Sequence, residues 1–93
     1  NLLVAELETG KYKVVVMDFN RVTFIDSSGI GLVLGRYNQM KAEGGKLYIT
    51  GLSPVAYRLF ELTGIFNLMD YIKSIDEILV KVGEHHESDE NNV

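Results

Sequence analysis

Between Thr23 and Gly35 the chain reads TFIDSSGIGLVLG, and its chemistry gathers in Asp26, Ser27, Ser28, Gly29, Ile30 and Gly31. A carboxylate and two hydroxyls stand immediately before a run with helical periodicity. These residue types are the preferred caps for the amides that a first helical turn leaves free. One cap suffices, and three candidates are present. Gly29 and Gly31 are unexpected there, because glycine in a helix costs roughly 0.5–1 kcal/mol relative to alanine. Both leave the approach to the serines uncluttered. An exposed hydroxyl beside small residues, at the positive end of a helix, can receive and tolerate a phosphate. Residue chemistry alone leaves capping and phosphorylation both open.

Other chemistries fit poorly. A serine nucleophile needs a base held within hydrogen-bonding reach, and the only histidines, His85 and His86, lie in a polar terminal stretch. The motif is not the G-x-S-x-G elbow of hydrolases. Its glycines lack the G-K-[ST] of a phosphate loop. The absence of cysteine excludes disulfide scaffolds, thiolate zinc sites and cysteine nucleophiles, and makes a cytoplasmic protein the expectation. No acidic cluster in the body has metal-ligand spacing. The residues therefore predict a chain that is not an enzyme and carries neither metal nor cofactor.

The net charge is −4, but Glu84, Glu87, Asp89 and Glu90 all fall in the last ten residues. Thirteen acidic residues less these four leave nine, against nine Lys and Arg, so the body is neutral. A neutral body predicts no binding to nucleic acid or anionic lipid. No apolar run approaches the roughly 18–20 residues that span a bilayer. The stretch 84–93, EHHESDENNV, is polar and acidic and reads as a solvated tail after one domain over 1–83.

The elements that must position the motif follow from periodicity. NLLVAELETG has apolar residues at helical spacing before a glycine, which predicts the end of a helix and hence a segment missing upstream; a short helix capped by Asn1 is the alternative. KYKVVVMDF (11–19) predicts a strand covered on both faces. From Gly29 the period becomes helical, with Ile30, Val33, Leu34, Tyr37 and Met40 or Lys41 on one face and EGG at 43–45 as the stop. KLYIT (46–50) predicts a second strand. Ser53 and Pro54 open another helix, whose expected apolar face is Val55, Leu59, Phe60 and Leu62 and whose stop is Gly64. NLMDYI (67–72) predicts a third strand, and Ser74 with Glu77 a capping box before a last helix through Ile78, Leu79 and Val82 to Gly83. Alternating helices and strands imply an α/β fold with a mostly parallel sheet covered by the helices.

Over Val22–Ile72 the sequence resembles the STAS-domain anti-sigma factor antagonists, most closely the sporulation type. The matching features are D-S-S-G-I-G at Asp26–Gly31, LGRY at 34–37, the glycine pair 44–45, and SPVAYRLFELTGIF at 53–66. The resemblance implies a STAS-like fold and a partner-switching role. The unphosphorylated antagonist binds an anti-sigma factor that is also a serine kinase, and so frees a sigma factor. Phosphorylation of the serine after the aspartate ends that binding, and a serine phosphatase restores it. Carried over, the phosphoacceptor is Ser27, with Ser28 as the expected helix cap. Asp26, Ser28, Gly29, Ile30, Gly31, Leu32, Arg36 and Gln39 would form the partner surface. The resemblance also implies a further N-terminal segment, two strands and the start of a helix, that this sequence lacks. A STAS scaffold subunit without a phospho-switch is the alternative.

Overall fold

The computed structural model describes residues 2–8 and 10–80. The stretch 84–93, Val82, Gly83 and the cap expected at Asn1 lie outside them. Among the described residues the sheet has four strands in the order β1-β2-β3-β4: β1 (Leu3–Glu8), β2 (Lys13–Asp18), β3 (Lys46–Thr50) and β4 (Asp70–Tyr71). β2–β3 and β3–β4 are parallel and β1–β2 is antiparallel, so the sheet is mostly parallel.

β2 is the centre because its residues can be buried on both sides. Val15 and Met17 point to one face, where they join Phe19, Leu47, Ile49, Val33, Met40 and Phe60 in the main core. Val14 and Val16 point to the other face and pack with Ile72 and Ile78. Full burial of such side chains is worth about 1.5–3 kcal/mol each. Two-sided burial is what the uninterrupted valine run requires.

The helix expected over residues 1–10 is instead strand β1. It pairs with β2 from Leu3↔Asp18 to Glu8↔Lys13. Alternate residues explain the choice. Ala5 and Leu7 are half-buried against the second core, while Glu6 and Glu8 are exposed. A strand here also satisfies the backbone edge of β2 that a helix would leave open. The chain reverses through Gly10 at φ 88°, a left-handed conformation that favours glycine.

α1 (Ser27–Ala42) follows β2 and covers the main core with Val33 and Met40 buried and Ile30, Leu34 and Tyr37 packed around them. It ends in a Schellman arrangement. Gly45 donates to Met40 O at 2.8 Å and Gly44, at φ 73°, donates to Lys41 O at 3.2 Å. Gly45 is obligatory, since a Cβ there would stand 2.8 Å from the carbonyl oxygen of Lys13.

α2 (Pro54–Leu62) begins at the expected cap, with Ser53 Oγ accepting from the Ala56 amide at 3.2 Å. Its buried stripe differs from the expected one. Ala56 and Phe60 are buried, whereas Val55 is 82% and Leu62 67% exposed. The Phe60 ring, packed edge-on to Phe19 at 5.8 Å, sets the rotation of the helix.

The expected third strand, 67–72, is mostly irregular. Ile65–Asn67 forms a 3-10 turn and only Asp70–Tyr71 pairs with β3. The Tyr71 hydroxyl accepts from the Leu52 amide at 3.1 Å and fixes this segment from its side chain.

Residues 75–80 are helical, and Ile78 carries their burial while Leu79 is exposed. Glu77 does not close the expected box on Ser74. Its Oε2 accepts from the Lys73 amide at 2.8 Å, one residue further back.

Candidate functional site

The βα connections 19–26 and 51–53 run from the carboxyl ends of parallel strands to helix N-termini, so α1 and α2 start at the same edge of the sheet. The motif occupies the first of these turns. Asp26 is the N-cap, with φ −125° and ψ −167°. Its Oδ1 accepts from the Ser28 amide at 3.0 Å and from the Gly29 amide at 3.4 Å. Its carbonyl oxygen accepts from the amides of Gly29 and Ile30 at 3.0 and 3.3 Å. The expected role of Ser28 as cap is therefore corrected. Asp26 reaches the second and third helical amides from outside the helix, which a side chain already inside the first turn cannot do.

Ser27 is the first helical residue and is exposed. Its hydroxyl has no hydrogen-bond partner among the described residues. Ser28 is exposed as well. A cap formed by the carboxylate leaves both hydroxyls to solvent.

Helical geometry places the remaining expected residues. At about 100° per residue the row Gly31, Gly35, Gln39 winds from about 40° to about 120° round α1 from Ser27, and Leu32 and Arg36 lie about 140° and 180° round, so the row leaves the side of Ser27 as it runs along the helix. The row spans about 18 Å, from twelve residues at 1.5 Å each. Gly31, Leu32, Gly35, Arg36 and Gln39 line one groove against β1, with Leu2 and Val4 opposite and Met17 at its base. A Cβ at Gly31 or Gly35 would meet nothing within 4 Å, so neither glycine is required by packing within the chain. Leu32 is 57% exposed. Ile30 differs from the rest of the row, being half-buried against the main core, and Gly29 sits closely over Ile25, whose Cγ2 would be 3.1 Å from an added Cβ.

Two features go beyond the expected residues. Arg36 Nη2 lies 3.5 Å from Glu6 Oε1 and Arg36 Nη1 donates to Gln39 Oε1 at 3.3 Å, while Lys13 Nζ lies 3.6 Å from Glu6 Oε2. Glu6 thus links β1 to α1 through partly exposed charges, which contribute little to stability. Phe24 is 71% exposed, three residues before Ser27. The signal for it was present: in VTFI, Val22 and Ile25 pack inward, and Phe24 between them has only solvent to face.

Among the described residues no helix is long and apolar enough to cross a membrane.

The model of the STAS domain family matches residues 1–78. Curated relatives match parts of this chain. The anti-sigma F factor antagonist of Paenibacillus polymyxa is 34% identical over 55 residues, 59% of this chain and 47% of that protein. The anti-sigma-B factor antagonist of Listeria monocytogenes is 32% identical over 63 residues, 68% of this chain and 54% of that protein. The anti-sigma-B factor antagonist of Bacillus subtilis is 37% identical over 49 residues, 53% of this chain and 45% of that protein. Relatives of the F and B types match alike, so identity does not single out the sporulation type. The chain spans about half the length of the curated relatives it matches. With a family model matched across nearly the whole described fold, this chain belongs to the STAS domain family.

Proposed function

We propose that this chain is a cytoplasmic anti-sigma factor antagonist whose binding is switched at Ser27. The observation that carries the reading is the hydroxyl of Ser27. It stands exposed at the start of α1, with the cap already formed by Asp26, in a chain whose relatives are named antagonists of F- and B-type anti-sigma factors. It acts by binding and is not itself a catalyst. The unphosphorylated form engages an anti-sigma factor through the N-terminus of α1 and the row of Leu32, Arg36 and Gln39, and so releases the sigma factor.

The partner is also a serine kinase. It transfers the γ-phosphoryl group of ATP to Ser27 Oγ, removes the hydroxyl proton and supplies the magnesium. The product carries about −1.5 to −2 charges beside the Asp26 carboxylate. Against a surface shaped for a hydroxyl, mismatched charge costs several kcal/mol. At about 1.4 kcal/mol per tenfold, binding falls by a hundredfold or more. A serine phosphatase resets the switch.

The test is intact mass after incubation with ATP and an F- or B-type anti-sigma kinase, beside Ser27→Ala. The reading requires one added phosphate, none in the variant, and weaker binding by the phosphorylated chain. Binding with no phosphate added would instead favour a STAS scaffold module without a phospho-switch.

A further inference from the structure

Glu6 ties two residues of the proposed partner surface to an element outside it. Arg36 and Gln39 lie three residues apart on α1, where neighbouring side chains of a helix meet. Arg36 Nη1 donates to Gln39 Oε1 at 3.3 Å, and Arg36 Nη2 stands 3.5 Å from Glu6 Oε1 on β1. Lys13 Nζ holds the other carboxylate oxygen at 3.6 Å. The guanidinium is thus held from two directions, along its own helix and across from the sheet. Its Nε has no partner among the described residues.

The carboxylate is well anchored for this work. Strand register sets Glu6 opposite Val15, which is fully buried in the main core. Alternation puts Leu2, Val4 and Glu6 on the face toward α1. Leu2 and Val4 wall the groove, and Glu6 stands beyond them, beside Arg36. The charges are partly exposed, with 47% of the Glu6 side chain and 30% of the Arg36 side chain in solvent, so the pair adds little to the fold. Its effect falls on Arg36 itself. An arginine side chain loose on a helix surface visits many rotamers, and ordering it at an interface weakens binding by about two- to tenfold. A carboxylate that orders the side chain before the partner arrives removes that loss.

We propose that Glu6 is a positioning residue for the partner surface. It acts through Arg36, holding the guanidinium beside Gln39 with Nε left to donate to an acceptor on the anti-sigma factor. This rests on the reading that α1 engages that partner.

Two measurements on the whole chain test it. The first needs no partner: nuclear relaxation of the Arg36 Nε–Hε group, which reports motion on the picosecond-to-nanosecond scale. The group should be ordered in the parent and mobile in Glu6→Gln, and added salt should loosen the parent toward the variant. The salt series keeps the test intact should the variant not fold. The second is calorimetric titration with an F- or B-type anti-sigma factor. Glu6→Gln should bind about two- to tenfold more weakly while unfolding at the parent's urea midpoint. The double variant Glu6→Gln, Arg36→Gln should bind no more weakly than Arg36→Gln alone, because Glu6 then has nothing to position. Losses that multiply in the double variant, or tighter binding by Glu6→Gln, would overturn the assignment. A parent that binds while Arg36 moves equally in both chains would overturn it alone. A parent that does not bind would overturn the reading of α1 as well.

Discussion

Asp26 Oδ1 accepts the backbone amide of Ser28 at 3.0 Å, so the carboxylate of the motif, and neither hydroxyl, closes the start of α1. Capping and the proposed phosphoacceptor role therefore rest on different residues. Asp26→Ala should destabilise the fold by about 1 kcal/mol. Ser28→Ala should stay within about 0.5 kcal/mol of the parent. Urea unfolding checks both, through midpoints that shift at constant slope. An equal loss in the two variants would mean that the serine shares the cap.

Phosphorylation at Ser27 should leave the fold standing. A dianion at a helix N-terminus gains about 0.3–1 kcal/mol from the dipole, offset here by the neighbouring Asp26 carboxylate. The phosphorylated and unmodified chains should thus melt within a few degrees of each other. Calorimetric titration with the anti-sigma partner should separate them by a hundredfold or more. A large drop in melting temperature would recast the switch as unfolding and not as interfacial repulsion.

What could be read from the sequence depended on how local the cause was. The two-sided burial of Val14–Met17, the Asp-Ser-Ser turn and the glycine stop at 44–45 are written in neighbouring residues, and the structure has all three. Residues 3–8 were ambiguous because Leu3, Val4 and Leu7 satisfy helical spacing while Ala5 and Leu7 satisfy alternation. The open edge of β2 decided between them, and that is long-range information. Within the motif, Asp, Ser and Ser are nearly equal as caps, so only backbone geometry could choose Asp26. The link from Glu6 to Arg36 crosses thirty positions and leaves no local pattern.

Two glycines should respond to alanine with opposite signs. Gly45→Ala forces a Cβ to within 2.8 Å of the Lys13 carbonyl oxygen, so the β2–β3 end must shift and stability should fall by more than about 1 kcal/mol. Gly35 lies mid-helix with open space around it, so Gly35→Ala should stabilise by about 0.5–1 kcal/mol. Denaturant midpoints of the two variants read the contrast directly. A stabilised Gly45→Ala chain would contradict the close approach of α1 to β2.

Tyr48 should make the fold sensitive to alkali. Burial raises its phenol above the usual value of 10, with Tyr12 and Asp70 pushing the same way and Lys46 opposing. The unfolded chain then loses this proton first as pH rises. Its contribution to stability is complete below about pH 10 and is lost as pH climbs through the raised folded value. Unfolding midpoints between about pH 8 and 11.5 should decline at the top of that range, and Tyr48→Phe should flatten the decline. An identical slope in the variant would assign the loss to other groups.

Phe24 and Leu32 are large apolar side chains left in water on either side of the Ser27 turn. Each is more than half exposed, so Phe24→Ala and Leu32→Ala should each change stability by no more than about 0.5 kcal/mol. If the start of α1 is where the anti-sigma factor docks, these side chains become buried anchors. Truncating such an anchor typically removes more than about 1–2 kcal/mol of binding, and aromatic anchors are among the largest. Each variant should therefore bind the partner about tenfold more weakly while unfolding at the parent's midpoint. Leu62 supplies the control, because it is equally exposed but sits at the far end of α2. Leu62→Ala should match the parent in binding as well as in stability. If Leu62→Ala weakens binding while Phe24→Ala and Leu32→Ala do not, the partner surface lies on α2, and the Ser27 turn would not be its centre.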